Sequence, residues 1–197
     1  MANITFTNPG YKDKTVYATA GSHTETILKI AKENKLPIDF SCEDGECVCK
    51  DQSACVLDCG DVVPCAPTCR NFGSSCEAIC TEDCSFDCRG GDRQEGLCRA
   101  TCGMNCDTLC SSVGNCSVNA GPDSTYACLN AVNCAATIED GSQARCIGVS
   151  GTCSIRCKGT CEVECADVGA CNVDCDGQER NLCASGLYVC GMDCPPT

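Results

Sequence analysis

A five-residue unit, C-x-Φ-x-C with Φ an apolar residue, recurs through most of this 197-residue chain and constrains its fold more than any other feature. Residues 151–175, GTCSIRCKGTCEVECADVGACNVDC, contain three such units in succession. Alternate side chains of a β-strand point to opposite faces, so Cys153, Ile155 and Cys157 would share one face. The unit therefore predicts a short strand whose inner face is rich in cysteine.

A helix is the alternative, because C-x3-C also places two cysteines on one helical face. The segments between units, KGT, ADVGA and DGQERN, contain turn-forming residues and no helix-forming run. The central residue of the unit is often β-branched, which favours strands. We therefore predict strands.

The units repeat with a spacing of 18–22 residues after residue 50. Two short strands and two turns in each repeat predict a mainly β fold, a flattened β-solenoid with a cysteine-lined core. Eight cysteines of one series set the predicted number of rungs at about eight: Cys55, Cys76, Cys98, Cys116, Cys134, Cys153, Cys171 and Cys190. A second series falls between them: Cys65, Cys84, Cys106, Cys128, Cys146, Cys161 and Cys183.

The amino-acid composition indicates which roles the cysteines must fill. The chain has 28 cysteines, no Trp, four Phe and four Tyr, so thiols must fill the interior or bind something. The N-terminus lacks the features of a signal peptide, and no segment has the roughly 18 apolar residues of a membrane span. We therefore expect a cytoplasmic protein, in which dense cysteines favour metal or redox chemistry over disulfides. The net charge of −13 argues against nucleic acid and anionic membranes as partners.

The first 50 residues do not contain this cysteine repeat. NITFT and KTVYATA, separated by NPGYKD, predict a β-hairpin. SHTE offers a capping box with Ser22 and Glu25, which predicts a helix that ends near Asn34. We therefore predict two domains, an N-terminal segment of residues 1–50 and a repeat domain of residues 51–197.

The N-terminal segment ends in a cysteine-containing loop, FSCEDGECVC. With the preceding AGSHTETILKIAKENKLPID, it resembles the Shethna-type and plant-type [2Fe–2S] ferredoxins, whose cluster loop runs C-x4-C-x2-C with a fourth ligand far downstream. Cys42 and Cys47 fit the first two positions, whereas Cys49 comes one residue early for the third. The resemblance implies a partial β-grasp cap and a [2Fe–2S] cluster. Our candidate cofactor ligands are Cys42, Cys47, Cys49 and Cys55.

Strand geometry limits how the repeat cysteines can pair. Cys153 and Cys157 lie about 13 Å apart along an extended strand, whereas a disulfide needs Cα atoms within about 7 Å. Each thiol must therefore pair across a turn, as Cys157 with Cys161, or with a neighbouring rung.

Thiols in sets of four suit iron–sulfur clusters, Zn²⁺ or Cu(I). Dense blocks of cysteine occur at both ends of the repeat, and Ala120, Ile138 and Ser150 fall between them where a second thiol is expected. The blocks predict ligand zones separated by packing. The candidate metal ligands are Cys59, Cys65, Cys69, Cys76, Cys80, Cys84, Cys88, Cys98, Cys102, Cys106, Cys110, Cys153, Cys157, Cys161, Cys165, Cys171, Cys175, Cys183, Cys190 and Cys194.

Three functional hypotheses remain open on these residues. The first is an iron–sulfur electron-transfer protein with [2Fe–2S] or [4Fe–4S] clusters. The second is a cytosolic protein that stores Cu(I) or Zn, and the third is a structural solenoid with disulfides or free thiols. No enzyme is expected, because the single histidine, His23, leaves no Ser-His-Asp arrangement and no phosphate-binding loop is present.

The expected partners follow from the resemblance and from the end of the repeat. Shethna-type ferredoxins are linked to nitrogenase, so the resemblance implies a redox protein partner of that kind. The last unit, CGMDC with Met192 inward, is followed only by Pro195, Pro196 and Thr197. Three residues cannot cover the exposed strand edges of a whole rung, so we predict that this end binds the next molecule in a head-to-tail homo-oligomer. A monomer whose last rung is protected by the prolines is the alternative.

Overall fold

The computed structural model describes residues 2–8, 11–18, 41–43, 46–50, 54–59, 63–91 and 95–195, and the regular secondary structure in these ranges is entirely β. The chain forms two compact units, Met1–Phe40 and Ser41–Thr197. Within the described ranges we find no helix with the length and apolar character that crossing a membrane requires.

The first unit contains an antiparallel hairpin of strands β1 (Ala2–Asn8) and β2 (Tyr11–Ala18). This confirms the hairpin predicted from the sequence. The predicted helix with its Ser22 and Glu25 capping box lies outside the described residues, and the role of this unit as a cap stays a prediction.

The second unit consists of two sheets with ten and seven strands. Sheet one contains β3 (Ser41–Glu43), β4 (Glu46–Lys50), β6 (Ala66–Arg70), β8 (Ser85–Arg89), β10 (Asp107–Ser111), β12 (Thr125–Leu129), β14 (Ser142–Ile147), β16 (Cys161–Ala166), β18 (Arg180–Leu182) and β19 (Leu187–Cys190). Sheet two contains β5 (Ala54–Asp58), β7 (Ser75–Glu82), β9 (Leu97–Met104), β11 (Asn115–Ala120), β13 (Asn133–Glu139), β15 (Thr152–Lys158) and β17 (Ala170–Asp174).

The two sheets form a β-solenoid, as predicted. From β4 to β17 the chain alternates between the sheets, and each strand pairs in parallel with the strand one coil away. Sheet two has seven such strands, so the chain makes six turns between its first and last coil. The solenoid is therefore shorter than the eight rungs predicted.

The missing rung is explained by a reversal at the C-terminal end. Strand β19 pairs antiparallel with β16, and β18 pairs antiparallel with β19, so Cys190 does not continue the parallel stack. Gly177 and Gly186 adopt φ angles of +85° and +82° in this segment, a backbone conformation that glycine adopts readily. Met192, predicted to point inward from a last rung, lies beyond the end of β19 and is half-buried.

The ferredoxin-like stretch reaches into the second unit. Strand β3 pairs antiparallel with β4, and β4 pairs in parallel with β6 of the solenoid. The change of sequence pattern after residue 50 therefore falls inside the second unit.

Buried and exposed side chains alternate along the strands as predicted. In β15, Cys153, Ile155 and Cys157 are buried, whereas Ser154 and Arg156 are exposed. Cysteines and one central residue per strand, such as Leu57 or Val163, form the core. A solenoid core so poor in aromatic residues depends on sulfur for its volume.

Adjacent coils approach each other closely at Gly103 in β9. A Cβ atom at this position would lie 1.8 Å from the carbonyl oxygen of Thr81 in the preceding coil. One coil further on, a Cβ atom at Gly121 would lie 2.3 Å from the carbonyl oxygen of Gly103. Because Cβ atoms in proteins essentially never come within 3.0 Å of such an atom, these two positions exclude every side chain larger than that of glycine.

Tyr126 is a large polar residue inside this core. It lies in β12 between Thr108 and Ala144 of the adjacent strands and is 1% exposed. Its hydroxyl group has no hydrogen-bond partner, and burial raises the pKa of the phenol above its ordinary value. An unpaired buried hydroxyl destabilises the folded state.

Replacing Tyr126 with Phe is expected to raise the free energy of unfolding by about 1 kcal/mol near neutral pH, because it removes that hydroxyl. The gain should grow in alkali. Above about pH 10 the unfolded chain ionises this tyrosine while the folded chain keeps the proton, so wild-type stability falls by about 1.4 kcal/mol per pH unit relative to the variant. Urea unfolding of both proteins between neutral pH and pH 11 measures the difference. A difference that does not change with pH would contradict this account.

Candidate functional site

The parallel pairing stacks cysteines into one continuous column on each sheet. In sheet one the aligned residues are Cys49, Cys69, Cys88, Cys110, Cys128, Cys146 and Cys165. In sheet two they are Cys55, Cys76, Cys98, Cys116, Cys134, Cys153 and Cys171. The columns face each other across one turn of each coil.

Disulfides join the two columns in every coil, and we call this set the central ladder. The Cα atoms of its pairs lie 6.2–6.4 Å apart, within the usual range for disulfides. Its seven pairs are Cys49–Cys55, Cys69–Cys76, Cys88–Cys98, Cys110–Cys116, Cys128–Cys134, Cys146–Cys153 and Cys165–Cys171.

A second set, the edge ladder, joins the opposite ends of the strands. It is interrupted in the middle of the solenoid. Its pairs are Cys59–Cys65, Cys80–Cys84, Cys102–Cys106, Cys157–Cys161 and Cys175–Cys190. A further disulfide, Cys183–Cys194, holds the C-terminal segment.

Serine replaces cysteine in the interruption. The serine hydroxyl groups of Ser124 and Ser142 are buried, and each bonds to the preceding coil. Ser124 Oγ accepts a hydrogen bond from the amide of Cys106 at 3.2 Å, and Ser142 Oγ accepts one from the amide of Ser124 at 3.1 Å. Ala120 and Ile138 occupy the opposite positions of these two coils and are buried as well. Hydrogen bonds between coils thus take the place of disulfides within them.

The predicted pairing rule is confirmed. Among the described residues no disulfide joins two cysteines of the same strand, and Cys157 bonds across the turn to Cys161 as expected.

The predicted series were wrong for four cysteines. Cys128 and Cys146 align with Cys110 of the central ladder and not with the edge position. Cys190 belongs to the edge ladder, and Cys183 lies outside both ladders.

The predicted position of one missing thiol was wrong for the same reason. Ser150 is an exposed residue outside the strands, and the edge position of its coil is taken by Ser142. Each strand has two inward positions that a cysteine can occupy. Because the turns differ in length, the spacing of cysteines in the sequence does not show which of the two is occupied.

Every predicted ligand with a described side chain lies in a disulfide, and this part of the chain contains no free cysteine. Of the four candidate cluster ligands, Cys49 and Cys55 bond to each other. The backbone of Cys42 pairs with that of Cys47, while their side chains lie outside the description. A disulfide sulfur is not a thiolate, so metal binding at the described cysteines requires prior reduction.

Four cysteines of the central ladder were not among the predicted ligands, namely Cys116, Cys128, Cys134 and Cys146. They make this ladder continuous. Their spacing of 18 residues from Cys98 to Cys116 and on to Cys134, and from Cys110 to Cys128 and on to Cys146, was the available signal.

Sulfur atoms also approach each other between rungs. The Sγ atoms of Cys59 and Cys80, which belong to neighbouring disulfides, are 3.6 Å apart. Three sets of three sulfurs lie within 4.8 Å of one another among the described residues, all in the N-terminal half of the solenoid. The sets are Cys59, Cys65 and Cys80; Cys69, Cys76 and Cys88; and Cys80, Cys84 and Cys102.

The N-terminal part of the chain is similar to Ferredoxin-5 from Rhodobacter capsulatus, with 60% identity over 48 residues. This match covers 24% of the chain and spans only 38% of the length of that relative. No protein-family model and no solved structure matches the chain. The predicted resemblance to ferredoxins is thus confirmed for the N-terminal residues, and the cysteine solenoid has no matching family.

Proposed function

We propose that the protein is an iron–sulfur electron-transfer protein whose N-terminal segment holds the redox cluster. The similarity of this segment to a ferredoxin is the observation that carries the proposal. The proposed role is to carry electrons and not to catalyse a reaction.

The cysteines near the start of the solenoid support a four-thiolate site of the kind that [2Fe–2S] clusters use. Pairing of β3 with β4 sets the backbone of Cys42 opposite Cys47, and Cys49 follows two residues later in β4. The Cα atom of Cys55 lies 6.4 Å from that of Cys49. Reduction of the Cys49–Cys55 disulfide would give the two remaining thiolates. Cys55 is therefore our proposed fourth ligand.

Anaerobic purification followed by iron and acid-labile sulfide analysis tests this proposal. We expect about two irons and two sulfides per chain, the content of a [2Fe–2S] cluster. The double substitution Cys42→Ser and Cys47→Ser should abolish both signals, because it removes two of the four ligands. The control is Cys128→Ala with Cys134→Ala, which opens a disulfide remote in sequence and should keep the iron. Equal iron in the two double variants would contradict the proposed site.

A redox protein is the proposed partner, because electron carriers act between donors and acceptors. A nitrogenase-related system is the kind of partner that the ferredoxin resemblance suggests. The net charge of −13 supports a partner with a basic docking surface.

A structural module is the second candidate function, and the pairing of every described cysteine favours it. In this case the disulfides only brace the fold. Head-to-tail assembly belongs to this candidate, and it is supported by the position of β5 and β17, which are the outermost strands of sheet two among the described residues, because the edge of a sheet can accept a further strand. Protein that contains neither iron nor sulfide after anaerobic purification would favour this candidate over the first.

A further inference from the structure

We propose that six cysteines of the edge ladder form a redox-controlled Zn²⁺ site, in which two adjacent rungs supply four thiolates once their disulfides are reduced. These six residues, which we call the edge column, are Cys59, Cys65, Cys80, Cys84, Cys102 and Cys106. The proposal does not depend on the N-terminal cluster.

The spacing of sulfurs in the edge column fits the ion. A Zn²⁺ ion bound by four thiolates has Zn–S bonds of about 2.3 Å, so the edges of its sulfur tetrahedron measure about 3.8 Å. The Sγ atoms of Cys59 and Cys80 are already 3.6 Å apart across two rungs. Cys80 also lies within 4.8 Å of Cys84 and Cys102. The rung Cys80–Cys84 can therefore combine with the rung on either side, and it is the centre of the site.

Burial separates the edge column from the central rungs beside it. Cys59, Cys80 and Cys102 are 5%, 7% and 8% exposed, whereas Cys76 and Cys88 in the adjacent central rungs are 0% exposed. The end rungs of the central ladder are more open, since Cys55 is 9% exposed and Cys171 is only partly buried. A reductant and an ion therefore reach the edge column before the central rungs beside it, which stay oxidised under mild reduction and keep the coils folded around the site.

A surface groove gives the ion a path to the edge column. The groove has a volume of about 530 Å³, and Cys102 forms part of its wall with Glu82, Ala120, Gly121 and Glu139. Ala120 stands where the edge ladder has no cysteine, so the interruption of the ladder leaves the groove open. Glu82 and the net charge of −13 attract a cation, whereas Glu139 forms an ion pair with Lys158, which lines the same groove.

Reduction, zinc binding and reoxidation form a reversible cycle. Two molecules of a dithiol reductant transfer four electrons and four protons to two disulfides, which gives four protein thiols and two oxidised reductant molecules. Zn²⁺ displaces the four protons and binds the four thiolates. A disulfide-forming oxidant then removes four electrons, restores both disulfides and releases the ion. Zinc occupancy thus follows the thiol redox state of the surroundings.

Mild anaerobic reduction with a phosphine, which is oxidised to its oxide with oxygen from water, tests the proposal without a competing thiol ligand. The phosphine is removed by gel filtration, ZnCl₂ is added, and bound zinc and circular dichroism are measured. We expect about one Zn²⁺ per wild-type chain. Cys80→Ser with Cys84→Ser should retain none, whereas the control Cys157→Ser with Cys161→Ser, which lacks one edge disulfide outside the edge column, should retain it.

Alkylation of the wild-type protein with iodoacetamide, followed by peptide mapping, gives a second measurement that needs no variant. Zinc should protect Cys80 and Cys84 together with one adjacent rung, and a diamide oxidant should release the ion. Zinc retention by the Cys80, Cys84 variant would overturn the proposal, and so would the absence of zinc from the wild-type chain. Protection confined to Cys42 and Cys47 or to the central ladder would also overturn it. Iron analysis of the same preparations tests the N-terminal cluster separately.

Discussion

Replacing Cys128 and Cys134 together with alanine is expected to lower the free energy of unfolding by about 4 kcal/mol. Opening a disulfide of this short sequence separation frees about 2 kcal/mol of chain entropy in the unfolded state. Loss of two buried sulfurs, at 0% and 2% exposure, removes packing worth about another 2 kcal/mol. The coil around this pair also lacks an edge disulfide, because Ile138 and Ser142 occupy the edge positions.

The matched comparison is Cys102→Ala with Cys106→Ala in the edge ladder, for which we expect a smaller loss of about 3 kcal/mol, because the opened ring is shorter and Cys102 is 8% exposed, so that less packing is lost. The chain itself replaces edge cysteines in two coils, and it keeps the central pair in all seven. Urea unfolding under non-reducing conditions measures both variants. Equal losses would show that a disulfide of either ladder contributes the same free energy of unfolding. The continuity of the central ladder would then not reflect a larger contribution to stability.

Replacing Gly103 with alanine is expected to cost about 3 kcal/mol or more, in the range of severe overpacking. The added Cβ atom would meet the carbonyl oxygen of Thr81 at 1.8 Å, and a backbone atom cannot rotate away as a side chain does. One coil must therefore move away from the other, which weakens the parallel hydrogen bonds between β7 and β9.

The control for this substitution is Gly186→Ala. Gly186 has a φ angle of +82° and no atom within 4 Å of an added Cβ, so alanine there introduces backbone strain of about 1 kcal/mol without a clash. Thermal unfolding of both variants by circular dichroism distinguishes the two effects. Similar losses at the two positions would mean that close approach of the coils does not limit residue 103.

The strands and the pairing of thiols across turns could be predicted from the sequence, because both depend on local geometry. A strand places every second residue on the same face, and a residue such as Cys157 can reach only a few others, of which Cys161 is one. The hairpin of β1 and β2 was equally local, since one short turn joins its strands.

The register between coils could not be predicted, because it depends on turns of unequal length. Cys128 fits either inward position of a strand until the pairing of β10 with β12 is known. The role of Ser142 was hidden for the same reason, since its hydroxyl group acts through the backbone of the preceding coil. The reversal that carries Cys190 into an antiparallel strand depends on contacts with β16 far back in the chain.

The candidate site likewise combines features that could be predicted from the sequence with features that could not. The sequence indicated that the cysteines act in sets, and the similarity to a ferredoxin supports a redox role near Cys42 and Cys47. Contact between thiols of neighbouring rungs was also anticipated, but the distance of 3.6 Å between Cys59 and Cys80 was not, because it depends on how coils 21 residues apart stack.

The short range of the disulfides determines how the solenoid would respond to a pulling force. From Cys49–Cys55 to Cys165–Cys171, each bond joins cysteines only 4 to 10 residues apart in or immediately beside consecutive strands, so no bond in this stretch joins strands that are stacked on each other in the same sheet. Coils are held together by backbone hydrogen bonds and packing, and tension applied at the two ends can peel them apart one by one. Each peeled coil, however, remains tied into small covalent rings, which shortens the distance over which the freed segment can extend. The molecule would therefore yield in many short steps, and each released coil would keep its cysteine partners ready to stack again when the tension is removed.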